Sequence, residues 1–234
     1  GSDTVEGGEG NDKMLFNGSG GAEEFEVSAN GERVLFTRNL GTIVMDLNDV
    51  ESIDLNALGN TDLVIVNDLS GTDLAELNIN LGGTIGGTTG DGAADTVIVN
   101  GTNGEDIIDV FGAGSSVSVL GLATQVSIAN SEGANDSLVI KGLEGDDGIT
   151  ATTLPSDVIK LTLDGGKGDD TYDVEDKGDK VTEAANQGTD TVYSGSGFTL
   201  GANLEKRRIL CFAILGRHEC HRPVPLDHSL VQPR

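Results

Sequence analysis

Gly7-Gly8-Glu9-Gly10-Asn11-Asp12-Lys13-Met14-Leu15 and Gly165-Gly166-Lys167-Gly168-Asp169-Asp170-Thr171-Tyr172-Asp173 share one pattern, G-G-x-G-x-D-x-U-x, where U is a large apolar residue. Glycine admits positive φ, so three glycines in four positions allow a turn tight enough for its carbonyls to converge. The Asp carboxylate closes the corner. Two residues later the U side chain points inward, so each corner leads into a strand whose first inward residue is U.

The same shape recurs more loosely along the chain. Asp12, Asp95, Asp106, Asp147, Asp170 and Asp190 stand two residues before Met14, Val97, Ile108, Ile149, Tyr172 and Val192. Short runs rich in Val, Ile and Thr lie at 25–27, 34–37, 42–47, 63–66, 96–99, 116–120, 125–128, 137–140 and 158–163, separated by Gly, Asn, Asp and Ser. Such runs predict strands joined by tight turns. Helical periodicity is nearly absent, with at best one turn at 182–186, and the body is expected to be all-β. Acidic positions keep a beat: Asp12 to Glu23, Asp62 to Asp73, Asp95 to Asp106, Asp136 to Asp147 and Asp179 to Asp190 are each 11 apart.

A longer repeat underlies these. A shift of 83 places Gly7, Asp12, Gly31 and Val34 on Gly90, Asp95, Gly114 and Val117, while Asp62 and Asp73 match Asp136 and Asp147 at a shift of 74. The expected organisation is therefore a first unit over 1–89, a second over 90–164 with a nine-residue deletion relative to residues 48–56, and a third start over 165–205. Repeated stranded units favour a parallel β-roll or β-solenoid-like stack, in which each unit buries its apolar face on the next. The alternative is a β-sandwich from two similar halves.

The 234 residues include 39 Asp+Glu against 14 Lys+Arg, a formal net charge of −25, and 35 glycines, about twice average usage. Residues 1–205 hold 8 basic and 37 acidic side chains, a net of −29, whereas residues 206–234 carry +4, all three His and both Cys. An acid excess repels nucleic acid and attracts cations. No stretch approaches the roughly 18 apolar residues of a membrane span, and no signal peptide opens the chain. Without an initiator Met, the chain is expected to be a fragment. The abrupt change of composition marks 206–234 as a compositionally foreign tail, expected to be non-native or disordered. Its Cys211, His218, Cys220 and His221 fit no standard zinc spacing.

The two nonapeptides resemble the RTX, or haemolysin-type, calcium-binding repeats of secreted bacterial proteins. Gly178-Asp179, Val181-Thr182-Glu183-Ala184 and Gly188-Thr189-Asp190-Thr191-Val192 look like the module that flanks such repeats. The resemblance implies a parallel β-roll, calcium ions in the turns, an extracellular location and type I secretion. The metal residues it implies are Asp3, Gly7, Gly8, Gly10 and Asp12 in the first turn and Gly165, Gly166, Gly168 and Asp170 in the second. Asp179 and Asp190 follow, with Asp106 and Asp147 in turns that lack the second glycine. After Leu15 the nine-residue beat slips to 11, and Glu23 stands where Asp is expected. For Asp62, Asp73, Asp95 and Asp136 the simpler expectation is an Asx-turn, with the carboxylate bonded to its own backbone.

No G-x-S-x-G, H-E-x-x-H or Walker loop occurs, and residues 1–205 contain no His or Cys to act as base or nucleophile. Paired carboxylates such as Glu23-Glu24 and Asp169-Asp170 fit metal-facing or solvated turns better than glycosidase chemistry. The chain is expected not to be an enzyme. It reads as a calcium-stabilised structural or adhesive module with a cell-surface or matrix partner. The alternative is the non-catalytic repeat region of a secreted hydrolase or epimerase.

Overall fold

Alternation of apolar and polar residues sets each strand. In Thr96-Val97-Ile98-Val99-Asn100, for example, Val97 and Val99 are buried while the other three are half-buried. The computed structural model describes residues 1–195 and 198–209, and among them no helix occurs. The strands are β1 (Asp3–Glu6), β2 (Lys13–Ser19), β3 (Glu24–Asn30), β4 (Arg33–Arg38), β5 (Ile43–Asn48), β6 (Ser52–Leu58), β7 (Leu63–Val66), β8 (Glu76–Asn80) and β9 (Thr96–Asn100). They continue with β10 (Ile107–Ala113), β11 (Ser116–Leu120), β12 (Gln125–Ala129), β13 (Ser137–Glu144), β14 (Gly148–Thr153) and β15 (Lys160–Lys167). The last four are β16 (Thr171–Val174), β17 (Lys180–Val181), β18 (Thr191–Ser194) and β19 (Lys206–Ile209).

Two sheets share one apolar core. The first has nine strands in the order β1-β5-β4-β3-β7-β9-β13-β15-β17, and the second has ten in the order β19-β18-β16-β14-β10-β11-β12-β8-β6-β2. The chain crosses between them repeatedly, and strands joined by such crossings lie parallel to their neighbours. Two excursions, β3-β4-β5 and β10-β11-β12, are antiparallel and stay within one sheet. They widen each sheet and interrupt the parallel progression. The expected single solenoid stack thus gives way to the alternative, a two-sheet sandwich built from two similar halves.

The duplication is written into the pairing. β2–β6 and β6–β8 are parallel neighbours, as are β9–β13 and β13–β15. β7 joins β3 just as β14 joins β10. The two copies occupy opposite sheets: β2, β6 and β8 lie in the second and β9, β13 and β15 in the first. This equivalence sets β6, Ser52-Ile53-Asp54-Leu55-Asn56-Ala57-Leu58, on residues 137–143 and Asp62 on Asp147. The nine-residue deletion expected from the sequence is therefore wrong. The match of Asp62 to Asp136 rests on the shared 11-residue spacing to Asp73 and Asp147, which recurs because Asp62 and Asp136 both precede strands of the first sheet.

Residues 206–209, grouped by composition with the tail, form β19 and pair in parallel with β18, Thr191 opposite Lys206. The rest of the tail, with its Cys and His residues, lies outside the described residues.

Candidate metal centre

Most strands that enter the sandwich from a crossing are preceded by a carboxylate (β8 and β15, which follow Ala75 and Ile159, are not), and these carboxylates form rows. In the second sheet Asp106 donates its backbone N–H to Asp147 Oδ1 (2.8 Å), Asp147 to Asp170 Oδ1 (2.8 Å), Asp170 to Asp190 Oδ1 (3.0 Å) and Asp190 to Glu205 Oε2 (2.9 Å). In the first sheet Glu23 donates to Asp62, Asp62 to Asp95 and Asp95 to Asp136, at 2.8, 2.8 and 3.0 Å. At the far edge of the second sheet Asp12 donates to Glu51 Oε2 (2.6 Å). Each of these N–H groups stands before its strand, and the carboxylate that precedes the neighbouring strand in the sheet accepts it. The Asx-turn expectation fails for Asp62 and Asp95, whose carboxylates bond a neighbouring strand. Asp136 does both, since its Oδ2 also accepts the Glu132 N–H at 2.7 Å. Asp73 is exposed in a loop.

Among the described residues one group of carboxylates meets the geometry of a cation site: Asp170, Glu183 and Asp190, whose ligand atoms all lie within 4.8 Å of one another. Asp170 and Asp190 are buried and Glu183 is half-buried. Asp170 Oδ2 and Glu183 Oε2 are buried without a hydrogen-bond partner. Burial pushes the Asp170 carboxyl up to about 6 and the Glu183 carboxyl up to about 7, against the lowering effect of the hydrogen bonds they accept. Burial raises Asp190 as well. A cation would relieve all three.

Glu183 was not foreseen as a ligand. β15 and β17 set Leu163 opposite Val181, and two residues further Glu183 stands by Gly165. Gly165 has no side chain to fill the space, and its N–H reaches both Tyr172 Oη (2.5 Å) and Glu183 Oε1 (3.3 Å). The Tyr172 hydroxyl donates to the same Glu183 oxygen. The signal was available in the alternation: Val181 is inward, so Glu183 falls on the inward side.

The other expected residues disperse. Asp3 is exposed within β1 in the first sheet, whereas Asp12 precedes β2 in the second, so the two share no row. Gly7 donates to Asn48 O, and Gly8 and Gly10 take φ of 89° and 140° around Asp12, whose Oδ2 is buried and unpartnered. Asp106 turns its Oδ2 back to the Thr102 N–H (2.7 Å) in its own loop. Asp147 occupies the middle of the row, raised by burial. Asp179 precedes β17 in the other sheet, pushed up to about 6 by burial, and accepts the Asp176 N–H. The U residues Met14, Val97, Ile108, Ile149, Tyr172 and Val192 are all buried in the core, as their spacing from the Asp residues requires.

Compared with known proteins, the chain matches no family model, no curated protein and no solved structure.

Proposed function

We propose that this chain is a non-catalytic structural module of a larger secreted repeat protein, stabilised by calcium held at Asp170, Glu183 and Asp190. The observation that supports it is the convergence of three carboxylates with two buried, unpartnered oxygens. Carboxylate oxygens are the ligands of hard cations, and a flexible, irregular set of them suits calcium better than magnesium. The resemblance of 165–173 to haemolysin-type turns points to the same ion. A net charge of −29 over residues 1–205 opposes compaction, so binding free energy becomes folding free energy. The buried position of Asp170 and Asp190, each also bonded to a neighbouring strand, favours scaffolding over contact with a partner. That supports reading the module as the non-catalytic repeat region of a secreted hydrolase or epimerase ahead of an adhesive segment.

Thermal melting with calcium and with chelator tests it. Calcium at about 100 times its dissociation constant is expected to raise Tm by roughly 5–10 °C, from about 2.7 kcal/mol of linkage. Asp190→Asn and Glu183→Gln should each remove most of that shift. Identical melting curves with calcium and chelator would sink the proposal.

A further inference from the structure

The first sheet carries a second row of carboxylates, Glu23, Asp62, Asp95 and Asp136, that has no part in the candidate calcium site. Asp62, Asp95 and Asp136 are each only 1% exposed. Their Oδ1 atoms accept the N–H of the preceding strand in the row, while Oδ2 of Asp62 and of Asp95 is buried with no hydrogen-bond partner. The charges that face the row are mostly of the same sign. Asp91, on the loop before β9, accepts the Asn60 and Ala93 N–H groups, and Glu132, before β13, accepts the Gly92 N–H. Arg38 is committed to Glu23 at one end, and Lys160 directs its ammonium to the Asn135 carbonyl. Among the described residues Asp62, Asp95 and Asp136 form no ion pair.

We propose that this row is a proton-binding seam: Asp62 and Asp95 take up protons on their free oxygens, and the first sheet is held more firmly in mild acid than in base. An unpaired buried carboxylate is costly, and the smallest ligand that removes the cost is a proton. Protonation leaves Oδ1 free to keep accepting the neighbouring N–H, so the row need not rearrange. Desolvation, with Asp91, Glu132 and the row's own members adding repulsion, pushes Asp62 and Asp95 up to about 7, and raises Asp136. Because these values lie above the ordinary 3.8, the folded chain holds protons that the unfolded chain releases. The stabilisation is complete below about 3.8 and is lost as pH rises through about 7.

The test is melting of the full chain in chelator at pH 8 and pH 5.5, for the wild type, Asp62→Asn, Asp95→Asn and the double variant. The wild type should gain roughly 5–10 °C in acid. Each Asn variant keeps the Oδ1 acceptor, melts higher than wild type at pH 8 and gains less in acid, with the double variant losing at least half of the rise. Other acidic groups also titrate, so only the part of the rise removed by these substitutions counts. Variants that retain the whole rise overturn the proposal. A carboxyl-carbon NMR titration of the wild type reads the same property without substitution: Asp62 and Asp95 signals with midpoints above 6 support the seam, and midpoints near 4 overturn it.

Discussion

Gly168→Ala is expected to destabilise the chain by about 3–5 kcal/mol and to remove the calcium-induced rise in Tm proposed for the Asp170 site. Gly168 has φ of 140°, where an L side chain is strained, and a methyl group there would overlap the Gly145 carbonyl oxygen. The contact belongs to a column. Gly145, Gly168 and Gly188 each stand two residues before a row carboxylate, and a methyl group on Gly188 would strike the Gly168 carbonyl in turn. Gly145 donates to Lys167 O (2.8 Å) and Gly168 to Gln187 O (2.7 Å), so successive turns rest backbone on backbone. Pushing one turn outward displaces the Asp two residues later. Gly20→Ala serves as control, because nothing lies within 4 Å of a methyl group there. Urea unfolding should separate the two variants by most of the stated cost. Equal midpoints would show that the turns are not stacked in this way.

The second large effect concerns Glu23, the one row member paired with a cation among the described residues. The Glu23 side chain is fully buried, paired with Arg38, and accepts the Ser19 N–H at 2.6 Å. Arg38→Met keeps the apolar stem beside Phe16, whose ring lies 5.9 Å from the guanidinium, but strands the carboxylate. Removing one partner of a buried pair typically costs about 3–5 kcal/mol, because the other charge remains without compensation. Adding Glu23→Gln should restore most of the loss, since a neutral amide needs no counter-ion. The double-mutant cycle by chemical denaturation reads the coupling directly. If Arg38→Met and Arg38→Met/Glu23→Gln unfold at the same denaturant concentration, Glu23 is not a desolvated charge.

Much of the strand pattern was readable because the core selects alternation. The run at 96–99 became β9, that at 116–120 became β11, and every Asp-x-U spacing put its U residue inside. β6 and β8 escaped notice because Asp54, Asn56, Asn78 and Asn80 are poor strand formers. Their cost is met on the outer face, where Asn56 donates to Asn17, Asn80 to Asn56 and Asn78 to Asp54. Such a partnership between side chains of different strands cannot be seen along one strand. The same limit hid the rows: the Asp residues were recognised as corner residues, but their acceptor role depends on a strand 20 to 41 positions away. Glu183 reaches the candidate centre only because β17 pairs with β15. Which sheet a strand joins depends on counting crossings, and the antiparallel excursions at β3-β4-β5 and β10-β11-β12 upset that count.

The exchange of sheets between the two copies follows from parity. Taking each antiparallel excursion as one layer, a copy comprises five layers, an odd number, so its successor starts on the other side. A single copy is therefore half a period, and only a pair restores the starting phase. Outward side chains of equivalent residues point in opposite directions on the finished molecule, as Asp54 of β6 and Val139 of β13 do from their separate sheets. Doubling the sequence did not double any one surface. It set every layer of the unit once on each side, leaving the two copies of a layer facing away from each other while the interior remained common to both.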